Sequence, residues 1–223
     1  MSDSLDFHPS LSKVELAAYV RAQLDASFPD GNRDPLGIYV DEAMERVRHC
    51  FKDIHIKRYR HKNSILFDHL NGDQYCSFIY LLSRVALENG GSESLCSKLY
   101  LLNKRMFGLD IMYDIKMPDI FYFQHPVGTV LGRANYSDYL VVYQRCSTGS
   151  DMNGVYPSFG KGVVLFGNSS VIGNCTIGNN CWISYGSTVF DSNIPDNSIV
   201  FGSRRDVVIK KTTKIAKGIA FDV

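Results

Sequence analysis

The 223-residue sequence has no apolar run near the roughly 20 residues that span a bilayer, and no basic segment followed by an apolar stretch opens it. Those two absences lead us to expect a cytoplasmic protein with no membrane partner. Neither sign of charge dominates. The formal net charge is +1, and no basic stripe carries interleaved aromatics, so nucleic acid is not an expected partner. The six cysteines, at 50, 76, 96, 146, 175 and 181, form no CxxC pair. Metal-ligand spacing is missing, so no metal is expected, and reduced thiols fit the same compartment. No glycine-rich turn follows a strand and opens a helix, which removes the case for nicotinamide or ATP binding. Histidine is scarce too: after His69 the chain holds only His125.

What is present changes character along the chain. Apolar residues make up 45% and charged residues 21%, enough to build a core in one sizeable domain or two small ones. In the first half the apolar residues recur at helical spacing. The runs begin near Ser10, Val40, Asp73 and Ser94, and the last two are stopped at Gly90-Gly91 and Gly108. This predicts a helical domain over residues 1–113.

After Pro118 the helical period is replaced by a beat of six. Leu165, Val171, Ile177, Ile183 and Val189 are all aliphatic, and Ser169, Cys175, Cys181 and Ser187 follow the first four at a fixed offset. Glycine and asparagine crowd the positions between, as in Gly167-Asn168 and Gly173-Asn174. Neither an amphipathic strand nor a helix repeats every six residues, whereas a hexapeptide coil does. The aliphatic side chain points inward, the small one fits the corner, and Gly and Asn accept the turn conformations. Val130, Tyr136 and Val142 extend the spacing upstream, with Ala134 and Cys146 as small partners. The register breaks at residues 149–158, which predicts a loop pushed out of the coil, where ligand contacts tend to be built. Cys175 and Cys181 are expected as packing residues, and Trp182 as a surface or subunit-contact aromatic.

Three features coincide: the helical half, the hexads, and the stretch Gln124-His125-Pro126-Val127-Gly128 with Asp114-Ile115 before it and Leu131-Gly132-Arg133-Ala134 after it. Together they resemble the serine acetyltransferase family of left-handed β-helix acyltransferases. That resemblance implies an α+β chain: an N-terminal all-α helical domain followed by a left-handed parallel β-helix of hexapeptide repeats over residues 114–223. It implies an acetyl-CoA-dependent acetyltransferase, with acetyl-CoA as co-substrate and L-serine favoured as the small hydroxyl acceptor. O-acetylserine for cysteine biosynthesis would be the product.

The chemistry of His125 fits independently. Transfer of acetyl from a thioester to a hydroxyl needs a base for the hydroxyl proton and later an acid for the thiolate, and imidazole does both near neutrality. A carboxylate on the other ring nitrogen would fix the tautomer. By resemblance that partner is Asp114, with Asp119 the nearby competitor. The bland alternative for His125 is a turn histidine beside Pro and Gly.

By the same resemblance the pantetheine arm of CoA lies near Gly167 and Ser184, and its phosphates near Arg204, Arg205, Lys210 and Lys211. A solvated basic face is the alternative for that cluster. At the acceptor site the chain departs from the family pattern. The aspartate before the base is Gln124, the Arg-His pair of the loop is Val155-Tyr156, and a family glutamate is Arg133. Arg133 and Arg145 are candidates to bind a carboxylate instead, and Asp68, or His69 beside it, matches an aspartate of the helical domain. Two other functions stay open: acetyl transfer to a carbohydrate or amino sugar, and a non-catalytic β-helix scaffold. A homotrimer, or a dimer of trimers, is expected by family analogy.

Overall fold

The computed structural model describes residues 5–31, 33–203, 206–213 and 218–221. Four helices build the first half: α1 (Lys13–Ser27), α2 (Gly37–Phe51), α3 (Gly72–Glu88) and α4 (Glu93–Phe107). Their ends follow from local chemistry. Ser12 caps α1 in a capping box, its Oγ accepting from the Glu15 N–H at 3.3 Å while the Ser12 N–H donates to Glu15 Oε2 at 2.8 Å. Asn71 and Ser92 cap α3 and α4. Gly108 ends α4 in the left-handed conformation (φ 63°).

The first half is not purely helical. A small sheet, β1 (Asp6–Pro9), β3 (Ser64–Phe67) and β2 (Arg60–His61), runs in the order β1-β3-β2. These strands have four, four and two residues, too short to display a period in sequence.

Beyond that sheet, parallel pairing resumes at Asp110, which bridges to Val130. From Phe121 the chain winds as a β-solenoid with three faces. One face stacks β4 (Phe121–Phe123), β6 (Leu140–Val142), β9 (Val164–Leu165), β12 (Trp182–Ile183) and β14 (Ser198–Phe201) in parallel, closed by antiparallel β15 (Val208–Lys211). A second stacks β5 (Val130–Leu131), β7 (Ser147–Gly149), β10 (Ser170–Ile172) and β13 (Thr188–Phe190). The third joins Asn135, β8 (Ser158–Phe159), β11 (Thr176–Ile177) and Ile194.

The hexad aliphatics Leu165, Val171, Ile177, Ile183 and Val189 are all buried, as are Ser169, Cys175, Cys181 and Ser187. In the first coil the expected register fails. Val130 is 45% exposed and Leu131, at 1%, takes the interior place. Register explains it: Val142 to Thr148, Leu165 to Val171 and Ile183 to Val189 are six-residue steps, but Phe123 to Leu131 takes eight. Two extra residues are pushed out at this corner, and His125 is among the displaced ones. A second excursion, between Thr148 and Phe159, is the expected loop.

The core is continuous from helices to solenoid. Phe121 packs on Tyr80 and Phe123 at ring distances of 6.0 and 4.8 Å. The chain's end returns to the same region: the His55 N–H donates to the Ala220 carbonyl at 2.9 Å, and Phe221 is fully buried against Tyr139.

Candidate active site

His125 occupies the corner between β4 and β5 with φ 49°, a left-handed conformation that costs a non-glycine residue energy unless neighbours enforce it. Asp73 enforces it. Its Oδ1 accepts the His125 backbone N–H at 2.9 Å, and its Oδ2 lies 3.6 Å from Nδ1 of the ring. The imidazole is 72% exposed, whereas the Asp73 side chain is 16% exposed. The pair therefore has one wet and one dry member.

Asp73 stands in the first turn of α3, where the capping Asn71 Oδ1 accepts its N–H at 3.2 Å. Burial raises the Asp73 carboxyl above its ordinary range; the His125 N–H and the charges of His125 and Arg58 oppose this without cancelling it. Behind it sit Tyr59, whose hydroxyl is buried, and Tyr122; burial raises both phenols.

From His125 an open groove of about 740 Å³ runs along the corner, lined by Gln144, Arg145, Gly167, Asn168, Tyr185 and Gly186. Arg145, Asn168 and Gly186 each adopt positive φ, so the same turn recurs coil after coil. A Cβ on Gly167 would lie 2.8 Å from Nε2 of Gln144. Glycine at 167 thus leaves room for the Gln144 amide and the Tyr185 ring on the groove. Tyr143 stacks on Phe166 at 5.2 Å, and Phe166 packs on Tyr185 at 5.0 Å, so two further rings support the one that lines the groove.

The other expected site residues divide. Arg145 is exposed on the groove beside His125. Within its own chain Asp114 does not face the imidazole, whose neighbouring carboxylate is Asp73. Asp114 pairs with Arg133, in a separate cleft of about 310 Å³ that also includes Tyr156. Arg133 follows β5 whereas His125 precedes it, so the two clusters sit at opposite corners of one coil. Asp119 lies in yet another cleft, with Glu45, His49 and Lys116. Ser184 donates its N–H to the Val200 carbonyl at 3.0 Å, so the coil's own ladder consumes that amide. Gln124 likewise gives its N–H to Val142. Asp68 accepts the Leu70 N–H at 2.9 Å and shapes the turn before α3, and His69 turns to Ser10. Lys210 sits over the Phe201 ring on β15 at the far end of the solenoid, and Arg204 and Arg205 lie outside the described residues.

Asp73 escaped the sequence analysis. Its only signal was its place at the start of a predicted helix, where an acidic residue is ordinary helix chemistry.

A chain built this way has the architecture of a hexapeptide-repeat β-solenoid with a helical cap. Within that class it resembles serine acetyltransferases. Over 118 residues it is 26% identical to the serine acetyltransferase of Synechococcus elongatus, a match covering 51% of this chain and 48% of that protein. The match thus spans about half the length of that curated relative. No family model matches the sequence. Among solved structures, soybean serine acetyltransferase complexed with serine superposes with a TM-score of 0.64 at 16% identity, over 78% of this chain and 74% of the other. A serine acetyltransferase in complex with CoA superposes with a TM-score of 0.61 at 18% identity, over 78% and 75% respectively. These likenesses show the fold.

Proposed function

We propose that the chain is an acetyl-CoA-dependent acetyltransferase acting on the hydroxyl of a small acceptor, L-serine first, with His125 as general base. The observation that carries this reading is an exposed imidazole, backed by a largely buried carboxylate, at the head of an open groove. The solved relatives that hold CoA and serine support the choice of donor and acceptor.

In this reading His125 removes the acceptor's hydroxyl proton as the oxygen attacks the thioester carbonyl. The carbonyl electrons return as the carbon–sulfur bond breaks, and the imidazolium gives its proton to the departing thiolate. Gly167 lines the groove that takes the pantetheine arm. Lys210, with Arg204 and Arg205, supplies cations for the phosphates. Arg145 takes the acceptor's carboxylate.

The Asp114–Arg133–Tyr156 cleft is at the wrong corner to serve His125 of its own chain. A cyclic homotrimer brings such a corner to the neighbour's histidine, so the acceptor site in this reading is shared between copies. The division into a helical domain (1–113) and a solenoid domain (114–223) belongs to the same reading. So does a cytoplasmic location, which the six free, buried thiols suit.

Two observations favour a carbohydrate acceptor as the second reading. Arg133 is already neutralised by Asp114, and Tyr185 presents a ring that is 64% exposed on the groove, a surface on which a sugar can stack. The test is release of CoA thiol from acetyl-CoA with L-serine and with a panel of sugars and amino sugars. Serine-dependent release supports the first reading and sugar-dependent release the second. A protein that binds acetyl-CoA and releases nothing contradicts both.

A further inference from the structure

Resting on the reading of His125 as the base, we infer that Asp73, at the start of α3, is the carboxylate that orients the imidazole. The partner of the base is then supplied by the helical half of the chain and not by the solenoid. Three observations carry this. Asp73 turns both oxygens to His125: Oδ1 accepts the backbone N–H at 2.9 Å, and Oδ2 lies 3.6 Å from Nδ1. Of the carboxylates nearer in sequence, Asp110 pairs with Tyr100 and Lys104 at 2.7 Å each, Asp114 pairs with Arg133, Asp138 accepts the Ile120 N–H at 3.2 Å, and Asp119 lies in a separate cleft. Asp73 is also held rigidly, by the Asn71 cap and by Cys76 and Ser77 side chains that donate to its carbonyl at 3.2 and 2.9 Å.

The separation of 3.6 Å is longer than a hydrogen bond. Catalytic hydrogen bonds in unliganded enzymes are often long and tighten when substrate binds. A small turn of the exposed ring brings Nδ1–H onto Oδ2. That leaves Nε2 with its lone pair toward the groove, the tautomer a base needs. When the ring becomes imidazolium, the same carboxylate stabilises it across a short, poorly hydrated gap. Asp73 touches neither donor nor acceptor in this arrangement. It is a positioning residue.

Asp73 also holds the backbone at φ 49°, so its removal tests two things at once. Asp73→Asn separates them, because the amide oxygen can still accept the His125 N–H while the amide nitrogen replaces Oδ2. The experiment is nitrogen NMR of the full chain labelled at histidine, with the His125 signal identified by its loss in His125→Gln. The expected result is a neutral His125 protonated on Nδ1 in the wild type. Asp73→Asn should move it toward the Nε2–H tautomer, Asp73→Glu should restore much of the original population, and Asp119→Asn, in a separate cleft, should change nothing. Where transfer is measurable, Asp73→Asn should lower kcat about a hundredfold with KM little changed. An unaltered tautomer in Asp73→Asn, or a changed one in Asp119→Asn, overturns the inference. The NMR result needs no acceptor, so a chain that transfers no acetyl group would defeat the functional reading while this pairing is still judged by itself.

Discussion

Both oxygens of Asp73 face His125, one on its main chain and one toward its ring, although the two residues are 52 apart in sequence. The contact couples the first turn of a helix to the displaced corner of the first solenoid coil. It places a largely buried carboxylate behind an exposed imidazole, and several outcomes depend on that.

His125→Ala should lower kcat/KM for acetyl transfer by roughly a hundredfold or more, the scale of general-base catalysis. The side chain is 72% exposed, so little packing is lost and the melting temperature should stay close to that of the wild type. A thiol-release assay beside a thermal melt checks both. Undiminished release would remove His125 from the mechanism.

Asp73→Asn should stabilise the fold at neutral pH while impairing the reaction. Burial raises the Asp73 carboxyl above the 3.8 of an exposed aspartate, so the folded state binds that proton more tightly than the unfolded chain. The group favours folding below about pH 3.8, and this advantage is lost as pH rises through the raised value. At pH 7 the ionised carboxylate is a cost that asparagine removes. The melting temperature of the variant should exceed that of the wild type at pH 7, and the gap should close toward pH 4. A gap of the opposite sign at pH 7 would mean that the contact with His125 outweighs burial.

Arg145→Ala should raise KM for a carboxylate-bearing acceptor about tenfold or more, leaving kcat little changed, because the guanidinium binds ground state and transition state alike. Titrating L-serine at saturating acetyl-CoA measures this. An unchanged KM for serine would move the acceptor's carboxylate elsewhere.

Gly132→Ala should destabilise the solenoid by about 1–3 kcal/mol, the usual cost of overpacking. A Cβ there would stand 2.7 Å from the Thr148 carbonyl oxygen of the next coil, and that oxygen cannot retreat without breaking the ladder bond it accepts from the Gly132 N–H. Denaturant unfolding gives the value.

Phe221→Ala should cost about 3–5 kcal/mol, as for other fully buried phenylalanines. The ring is 0% exposed and packs edge-on to Tyr139 at 5.3 Å, which ties the chain's end to the junction of helices and solenoid. A loss below about 1 kcal/mol would show that this contact adds little to the fold.

Much of the fold was legible because it is periodic. Leu165, Val171, Ile177, Ile183 and Val189 repeat every six residues and are all buried; nothing else with that beat could put each of them inside. The four helices were legible from apolar spacing together with stops such as Gly90-Gly91 and Gly108. The three-stranded sheet over residues 6–9, 60–61 and 64–67 was not, because its strands are short and two of its segments join across more than 50 residues of chain. Nor was the register of the first coil. Val130 and Leu131 are both aliphatic, and only the eight-residue step between Phe123 and Leu131 decides which points inward.

The sequence by itself determined the helix-then-solenoid order, the excursion after Thr148 and the single histidine at a glycine-rich corner, since each follows from local spacing and residue type. Tertiary structure alone decided which carboxylate faces that histidine. Asp114 is near His125 in sequence, but the coil carries it toward Arg133, while the docking of α3 brings Asp73 up to the ring. Hydrogen bonds and ion pairs depend on distance in space. Once the chain turns a corner, sequence separation no longer predicts that distance.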